Sequence, residues 1–306
     1  MKEKLLITGG TGFIGKNVIE ELLKKGYEVH SLVYPPFSPI QNNLYQYEIN
    51  LLDLESVNKF FKKHKFKKLI HLAWYVGKGC HSSDLNLDWT LATLNLLKAF
   101  KEQGGEVFLG AGTVSEYEYK YGYLLENSTP TSPQTLYGEC KNSIYKIAKV
   151  YCKQNNIKFK WPRIFNLYGP NEKEQRLMPS VINSCLKDED VKVSDCLKYQ
   201  DYLHVKDTAK GIVSVLESDI EDAVNICSGS PIQLREIVNK ITKYTAFNGK
   251  ILWGSIPAAF GDELVVGNNE KLKSTGWVQE YSLDEGLIDT IMWWKNKNKK
   301  GEKINV

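Results

Sequence analysis

A doubly wound, parallel α/β sheet with a smaller C-terminal lobe is the fold this 306-residue sequence predicts, on three observations. Short apolar runs alternate with longer amphipathic stretches over the first two thirds, the pattern of parallel strands joined by right-handed helical crossovers. The opening run Lys4–Thr8 passes at once into Gly9, Gly12 and Gly15 and then into a helical pattern. From about Gly169 the alternation breaks, which marks a second unit.

Each element follows from its residues. Lys4–Thr8 is the first strand, and Ile14–Lys25 is a helix with Ile14, Val18 and Leu22 on one side. Tyr27–Tyr34 is the second strand, Leu54–Lys63 a helix, and Lys68–Leu72 the third strand. A helix over Leu87–Gln103 leads to the fourth strand, Val107–Leu109. A helix over Leu136–Asn155 leads to the fifth, Lys158–Ile164. Tyr34–Asn43 and Tyr117–Gln134 are rich in turn residues and read as loops. Further on, Met178–Leu186 and Thr208–Glu217 are helical, Ala223–Cys227 is a short strand, Leu234–Tyr244 is a helix, and a terminal helix runs over Leu283–Trp294. The tail Asn296–Val306 is expected to fray. No internal repeat and no low-complexity linker is visible.

Composition narrows the function classes. Apolar residues make up 42% and charged residues 25%, ordinary for a globular enzyme. The net charge of +4 comes from lysine, with arginine only at Arg163, Arg176 and Arg235. A nucleic-acid reader would devote more arginine to phosphate and base contacts, so no nucleic-acid partner is expected. The Lys-rich stretches Phe60–Lys68 and Lys295–Lys300 read as solvated surface. The six cysteines, at 80, 140, 152, 185, 196 and 227, form no C-x-x-C pair and no zinc-ligand spacing, so reduced thiols and no metal are expected. No apolar stretch approaches the roughly 20 residues that span a bilayer. The Gly-rich turn starts too early for a signal peptide to precede it. A cytoplasmic protein without a membrane partner is the expectation.

Two motifs carry chemistry. In the glycine turn, Gly9 permits the bend, Gly12 lets phosphates approach the backbone, and Gly15 lets the helix pack on the strand. Free backbone N–H groups and the positive helix end attract the anion, so the turn predicts a dinucleotide pyrophosphate site. The second motif is Tyr137-Gly138-Glu139-Cys140-Lys141, which puts Tyr137 and Lys141 on one helix face. A free phenol has a pKa of about 10, and an ammonium one turn away stabilises its phenolate. Upstream, Glu106–Thr113 reads as a buried strand that ends in small residues and a hydroxyl. Strand end, hydroxyl, then a Tyr-x-x-x-Lys helix is the order that a carbonyl–alcohol redox site needs. Gly9, Ala73, Thr113 and Asn166 all fall just beyond strand ends, where open α/β sheets bind ligands.

Over nearly its whole length the chain resembles the extended short-chain dehydrogenase/reductase family, which holds nucleotide-sugar epimerases, dehydratases and ketoreductases. The resemblance rests on Thr8 to Gly15, His71-Leu72-Ala73, Thr113, Tyr137 with Lys141, Pro162 to Pro170, Asp201 to Val205, and Leu272 to Trp277. It implies a Rossmann fold, with 1–168 as the dinucleotide-binding domain, 201–228 returning to it, and 169–200 and 229–306 as the substrate lobe. It implies cofactor contacts at Gly9, Thr11, Gly12, Phe13, Ile14, Gly15, Asn50, Leu51, Leu72, Ala73, Tyr137 and Lys141. Tyr137 would be the proton donor and acceptor, Lys141 would touch the nicotinamide ribose, and Thr113 would hold the substrate oxygen. It also implies a homodimer built as a four-helix bundle from Leu87–Gln103 and Leu136–Asn155.

Departures from the family pattern narrow the reaction. Sugar 4,6-dehydratases carry Asp-Glu directly after the Thr; here Val114 and Ser115 stand there, and neither can serve. Epimerase/reductases resembling fucose synthase use a Cys and a His, and the sequence places no Cys near Thr113. His71 to Tyr75 and the C-terminal pattern look more like sugar 4-ketoreductases such as the CDP-abequose synthase group. The expected reaction is therefore reduction of a 4-keto nucleotide-diphosphate sugar, a 6-deoxy sugar or heptose, for surface polysaccharide. Two alternatives stay open: a nucleotide-sugar 4-epimerase with tightly bound NAD, and a non-catalytic NAD(P)-binding regulator. The second strand ends in Val33-Tyr34 without the acid that holds a ribose 2′-hydroxyl, which leans toward NADP(H) over NAD(H). Asn166 matches the family's diphosphate-contacting Asn, but Gln200 and Ala259 stand where arginines would clamp the diphosphate. Arg176 and Lys198 are candidate substitutes, and Lys78 and His81 lie in the loop where the sugar is expected. His204 and the tryptophans Trp74, Trp89 and Trp161 read as structural.

Overall fold

The computed structural model describes residues 2–35, 37, 41–258 and 263–302. In chain order the elements are β1 (Lys4–Thr8), α1 (Phe13–Lys24), β2 (Glu28–Val33), β3 (Leu44–Glu48), α2 (Leu54–Lys63), β4 (Lys68–His71), α3 (Leu85–Glu102), β5 (Val107–Gly110) and β6 (Gly112–Thr113). Two short 3₁₀ turns, Val114–Glu116 and Tyr119–Tyr121, precede β7 (Tyr123–Leu124), α4 (Leu136–Gln154), β8 (Lys158–Ile164), β9 (Asn166–Tyr168), α5 (Leu177–Leu186) and β10 (Val191–Lys192). The remainder is β11 (Tyr199–His204), α6 (Val205–Glu217), β12 (Asp222–Ile226), β13 (Pro231–Gln233), α7 (Leu234–Tyr244), β14 (Ile251–Leu252), β15 (Leu264–Gly267), α8 (Glu270–Lys273) and α9 (Leu283–Glu302).

The main sheet runs β12-β8-β5-β4-β1-β2-β3, with β6 beside β8, and every pair is parallel. The order reverses between β1 and β4, which opens a crevice at the carboxyl ends of those two strands. Strand alternation sorts the core into layers. Leu5 and Ile7 pack with Val18 and Leu22 of α1 and Ile212 and Leu216 of α6. Leu6 faces the other way, onto Phe61, Leu96 and Phe100 of α2 and α3. A separate core of Met178, Ile182, Ile237, Ile241, Leu287 and Trp294 joins α5, α7 and α9.

A smaller sheet, β13-β11-β15-β7 with β9 on β11, lies at the carboxyl edge of the main one. Asp201 pins it to the loop after β12: its carboxylate accepts N–H groups from Ser228 at 2.8 Å and Gly229 at 3.0 Å, and within the small sheet that of Gly267 on β15 at 3.2 Å. The residue patterns predict no strand at β3 and none at β7, β9, β11, β13 or β15, and they end the last helix early. Rather than fraying from Asn296, α9 continues to Glu302; residues 303–306 lie outside the described ones. Lys297 fixes that last stretch, donating to Glu174 at 2.9 Å and lying 4.3 Å from the Trp294 ring centre. Ala259, read as an arginine replacement, also lies outside the described residues.

Candidate active site

The glycine turn is built by close approach. Gly9 sits at φ +72°, and a Cβ there would meet the Ala73 amide nitrogen at 2.7 Å, so β1 and the segment after β4 touch backbone to backbone. A Cβ at Gly15 would lie 2.1 Å from the Gly9 carbonyl, which sets how near α1 comes to β1. At Gly12, in contrast, a Cβ would meet only the Gly9 oxygen, at 3.2 Å, and otherwise faces open space. Gly12 is also the N-cap of α1 and offers no side chain to the first helical N–H groups, which leaves those donors for an anion. This cradle fits a dinucleotide pyrophosphate. Thr11, Phe13 and Ile14 belong to the same turn and first helical residues, and Leu72 follows β4 beside Ala73. Asn50 and Leu51 follow β3, and the Asn50 Oδ1 accepts the Leu52 N–H at 3.0 Å.

Thr113, Tyr137 and Lys141 come together at the mouth of the crevice. Thr113 ends β6 and lies within hydrogen-bonding reach of the Tyr137 hydroxyl. Tyr137 opens α4, where its N–H lacks a helical partner; the His81 carbonyl accepts it at 3.1 Å. That bond docks the loop after β4 onto α4. The His81 ring stands edge-on to Tyr137 at 5.7 Å, and Trp74 does so at 6.3 Å. Lys141 is buried, donates to the Ala111 carbonyl at 3.0 Å and lies 3.9 Å from the Trp74 ring centre.

Desolvation is the largest influence on both Tyr137 and Lys141. Burial pushes the phenol well above its ordinary pKa, and the hydrogen bond from Thr113 offsets only part of that. Burial also brings Lys141 down to about 7, against the opposing pull of Glu116. Both effects have one cause: the pocket disfavours charge on either group. Tyr137 is therefore held as a neutral phenol, the form that donates a proton.

Asn166 starts β9, and its amide donates to Gln200 Oε1 at 3.1 Å, so the residue replacing an arginine engages Asn166 instead. Arg176 is the exposed N-cap of α5, 3.9 Å from Glu172 and near enough to His81 to depress its pKa together with desolvation. Lys173 donates to the Val76 carbonyl at 2.6 Å, which bridges the lobe to the loop holding Lys78 and His81. Lys78 is exposed, and its carbonyl accepts the Tyr75 hydroxyl at 2.9 Å.

Three groups here escape a reading of the sequence. Cys80, on the loop after β4, lies close enough to Tyr137 to act on it electrostatically, although no Cys is expected near the hydroxyl pair. Glu172 is 8% exposed, its Oε2 has no partner, and burial raises its carboxyl to about 8. Glu116 is fully buried behind Thr113. Only its distance after Thr113 could have signalled it, and it points into the core toward Arg163, not toward the crevice.

Fold and site together define an enzyme of carbonyl–alcohol chemistry dependent on a nicotinamide dinucleotide. The NAD dependent epimerase/dehydratase family model matches residues 5–227, and the chain belongs to that family. CDP-abequose synthase of Salmonella muenchen is 24% identical over 301 residues, covering 94% of this chain and 96% of that protein. The dTDP-6-deoxy-L-talose 4-dehydrogenase (NAD(+)) of Aggregatibacter actinomycetemcomitans is 26% identical over 273 residues, 86% of this chain and 98% of that one. The crystal structure of Thermus thermophilus UDP-glucose 4-epimerase, a complex with NAD, superposes with a TM-score of 0.86 at 25% identity, covering 95% of this chain and 99% of that one. The protein is thus an NAD(P)-dependent enzyme of a nucleotide-sugar-modifying family. Among the described residues, no helix is long and apolar enough to cross a membrane.

Proposed function

We propose that this enzyme reduces the 4-keto group of a nucleotide-diphosphate sugar, a 6-deoxy sugar or heptose destined for surface polysaccharide. The observation that carries the reading is the Tyr137 hydroxyl within reach of Thr113, one helical turn from the buried Lys141, at the mouth of the glycine crevice. When bound, the reduced nicotinamide supplies hydride to the carbonyl carbon. The hydroxyls of Thr113 and Tyr137 donate to the carbonyl oxygen as negative charge grows on it, and Tyr137 gives that oxygen its proton. Lys141, as the ammonium, stabilises the phenolate left behind. The Gly9–Gly15 turn, Asn50, Leu51, Leu72 and Ala73 hold the dinucleotide. The absence of a carboxylate at the end of β2 favours NADP(H).

The test is a panel of GDP-, CDP-, dTDP- and UDP-linked 4-keto sugars with NADPH and NADH in parallel, followed by absorbance of the reduced coenzyme. Oxidation with one nucleotide class, faster with NADPH, is expected. No oxidation with any of them, in protein that purifies with firmly bound NAD, would assign a 4-epimerase.

The substrate lobe, 169–200 with 229–306, supplies Asn166, Arg176, Lys78 and His81 to the sugar diphosphate in this reading. With Gln200 occupied by Asn166, Arg176 is the guanidinium placed to bind the diphosphate. Arg176→Ala is expected to raise KM for the sugar nucleotide about tenfold or more, the loss of one charge-assisted bond, with kcat little changed. The reading extends to a cytoplasmic homodimer joined through α3 and α4, whose Leu87, Leu91, Ile147 and Val150 are exposed in the single chain. Leu91→Glu is expected to shift the mass in analytical ultracentrifugation from dimer to monomer.

A further inference from the structure

Glu116 is a core carboxylate on which three hydrogen-bond donors from two strands, β6 and β8, converge. Its Oε1 accepts the Thr113 N–H at 2.8 Å and the Trp161 indole N–H at 2.9 Å, and its Oε2 accepts the Arg163 Nε–H at 2.8 Å. Glu116 and Arg163 are both essentially without solvent contact. The Arg163 guanidinium is sandwiched in turn, 4.5 Å from the Tyr117 ring centre and 4.9 Å from that of Tyr145. The Thr113 Oγ1 accepts the Ser115 N–H at 3.3 Å, which closes a capping box around the 3₁₀ turn. The backbone of Thr113 is therefore gripped from behind by a carboxylate that cannot itself rotate.

We propose that Glu116 is a positioning residue: locked by Arg163 and Trp161, its carboxylate fixes the Thr113 backbone and puts one immovable negative charge beneath the Tyr137–Lys141 pair. The inference rests on the carbonyl-reduction reading for its catalytic consequence; the grip on Thr113 rests on the hydrogen bonds of Glu116, and its charge is read separately, without turnover. The groups that face the pair are few. On β4 there is buried His71, held neutral between Thr8 and Thr93. From the loop after β4 come Cys80 and His81, from the second 3₁₀ turn comes Tyr119, and from α4 itself comes Cys140. Of these groups and Glu116, the Glu116 carboxylate is the nearby anion that acts on both Tyr137 and Lys141. It favours the protonated form of each, so it keeps Lys141 an ammonium and Tyr137 a phenol. It also cannot replace the acid–base pair of a dehydratase, since its oxygens are spent on Thr113, Trp161 and Arg163.

Glu116→Gln keeps the shape and removes the charge. With the sugar nucleotide identified by the panel, kcat is expected to fall on the order of 100-fold, the effect of a reacting group displaced by an ångström, while KM for the coenzyme stays put. Removing the anion makes deprotonation easier at both groups, so the pH profile must slide to lower pH as a whole. A role confined to folding would lower the rate without moving the profile. Because Glu116→Gln leaves Arg163 unpaired, Glu116→Gln/Arg163→Met is the second variant; it removes both charges and tests whether the slide survives when the core is neutral. The electrostatic half is read without any sugar, from the ¹³Cε resonance of Lys141 in lysine-labelled protein, assigned with Lys141→Met. Its titration is expected at lower pH in Glu116→Gln than in the parent. An unchanged Lys141 titration, or a double variant with parent kcat and parent pH profile, overturns the proposal; a panel with no turnover alongside a shifted Lys141 sinks only the reductase reading.

Discussion

Tyr137→Phe is expected to lower kcat by about 10²- to 10⁴-fold, the range that one positioned proton donor supplies, and to leave coenzyme affinity nearly unchanged. The ring stays, so its edge-on contacts with Trp74 and His81 and the α4 N-terminus that carries it keep their geometry. Only the proton that meets the carbonyl oxygen is lost. The comparison needs two measurements: turnover of the reduced coenzyme, and dinucleotide binding by quenching of tryptophan emission, for which Trp74 above Lys141 is well placed. Residual turnover within a few-fold of the parent would remove Tyr137 from the mechanism. The same side chains set the pH dependence. Burial depresses Lys141 to about 7, so its ammonium is complete only below that value and is lost as pH rises through it. Any step that needs the ammonium slows on the alkaline side, from about neutrality upward. Lys141→Met should erase that limb, since no titrating ammonium remains there.

The main sheet was legible because its strands advertise themselves. Lys4–Thr8, Leu54–Lys63, Lys158–Ile164 and Leu234–Tyr244 form with the boundaries their residue patterns define. Buried parallel strands are short continuous apolar runs, and the crossovers are amphipathic. β3 was invisible for the opposite reason. It is an edge strand, Leu44–Glu48, whose only buried residue is Leu44, and its mixed polar pattern offers no run to see. The small sheet was missed because its partners are remote in sequence: Tyr199 pairs with Leu264 and Val266 with Tyr123, in segments too short to show a period.

At the site, sequence order named Thr113, Tyr137 and Lys141, but charge state depends on burial that no spacing encodes. Spacing pairs Tyr137 with Lys141 but carries nothing about their desolvation, which in the folded pocket raises the phenol and lowers the ammonium. Nothing in the sequence marks Glu116 as a core carboxylate, because its partners lie some 45 residues further on. Only the fold shows Trp161 and Arg163 arriving from β8 to claim it. Cys80 likewise reaches Tyr137 through a loop whose path is set by Asn86, which donates to the Cys80 carbonyl at 2.7 Å.

Gly15→Ala is expected to damage fold and binding together, while Gly12→Ala damages binding alone. At Gly15 the added methyl would lie 2.1 Å from the Gly9 oxygen and 2.8 Å from the Gly10 Cα. Both obstacles are backbone, so no side chain can swing aside and α1 must lift off β1. Overpacking of this kind costs about 1–3 kcal/mol or more, and the lifted helix carries its free N–H groups away from the pyrophosphate. A lower Tm and coenzyme affinity weakened at least about tenfold should appear in the same variant. At Gly12 the backbone is extended, at φ −75°, a conformation alanine adopts without strain. Its Cβ would touch only the Gly9 oxygen, at 3.2 Å, so Tm should hold. The methyl nonetheless projects into the space the phosphates need, so dinucleotide binding should fall with the fold intact. If Gly12→Ala binds NADH and NADPH as the parent does, the pyrophosphate does not pass over this turn, and the cradle assigned to it is wrong.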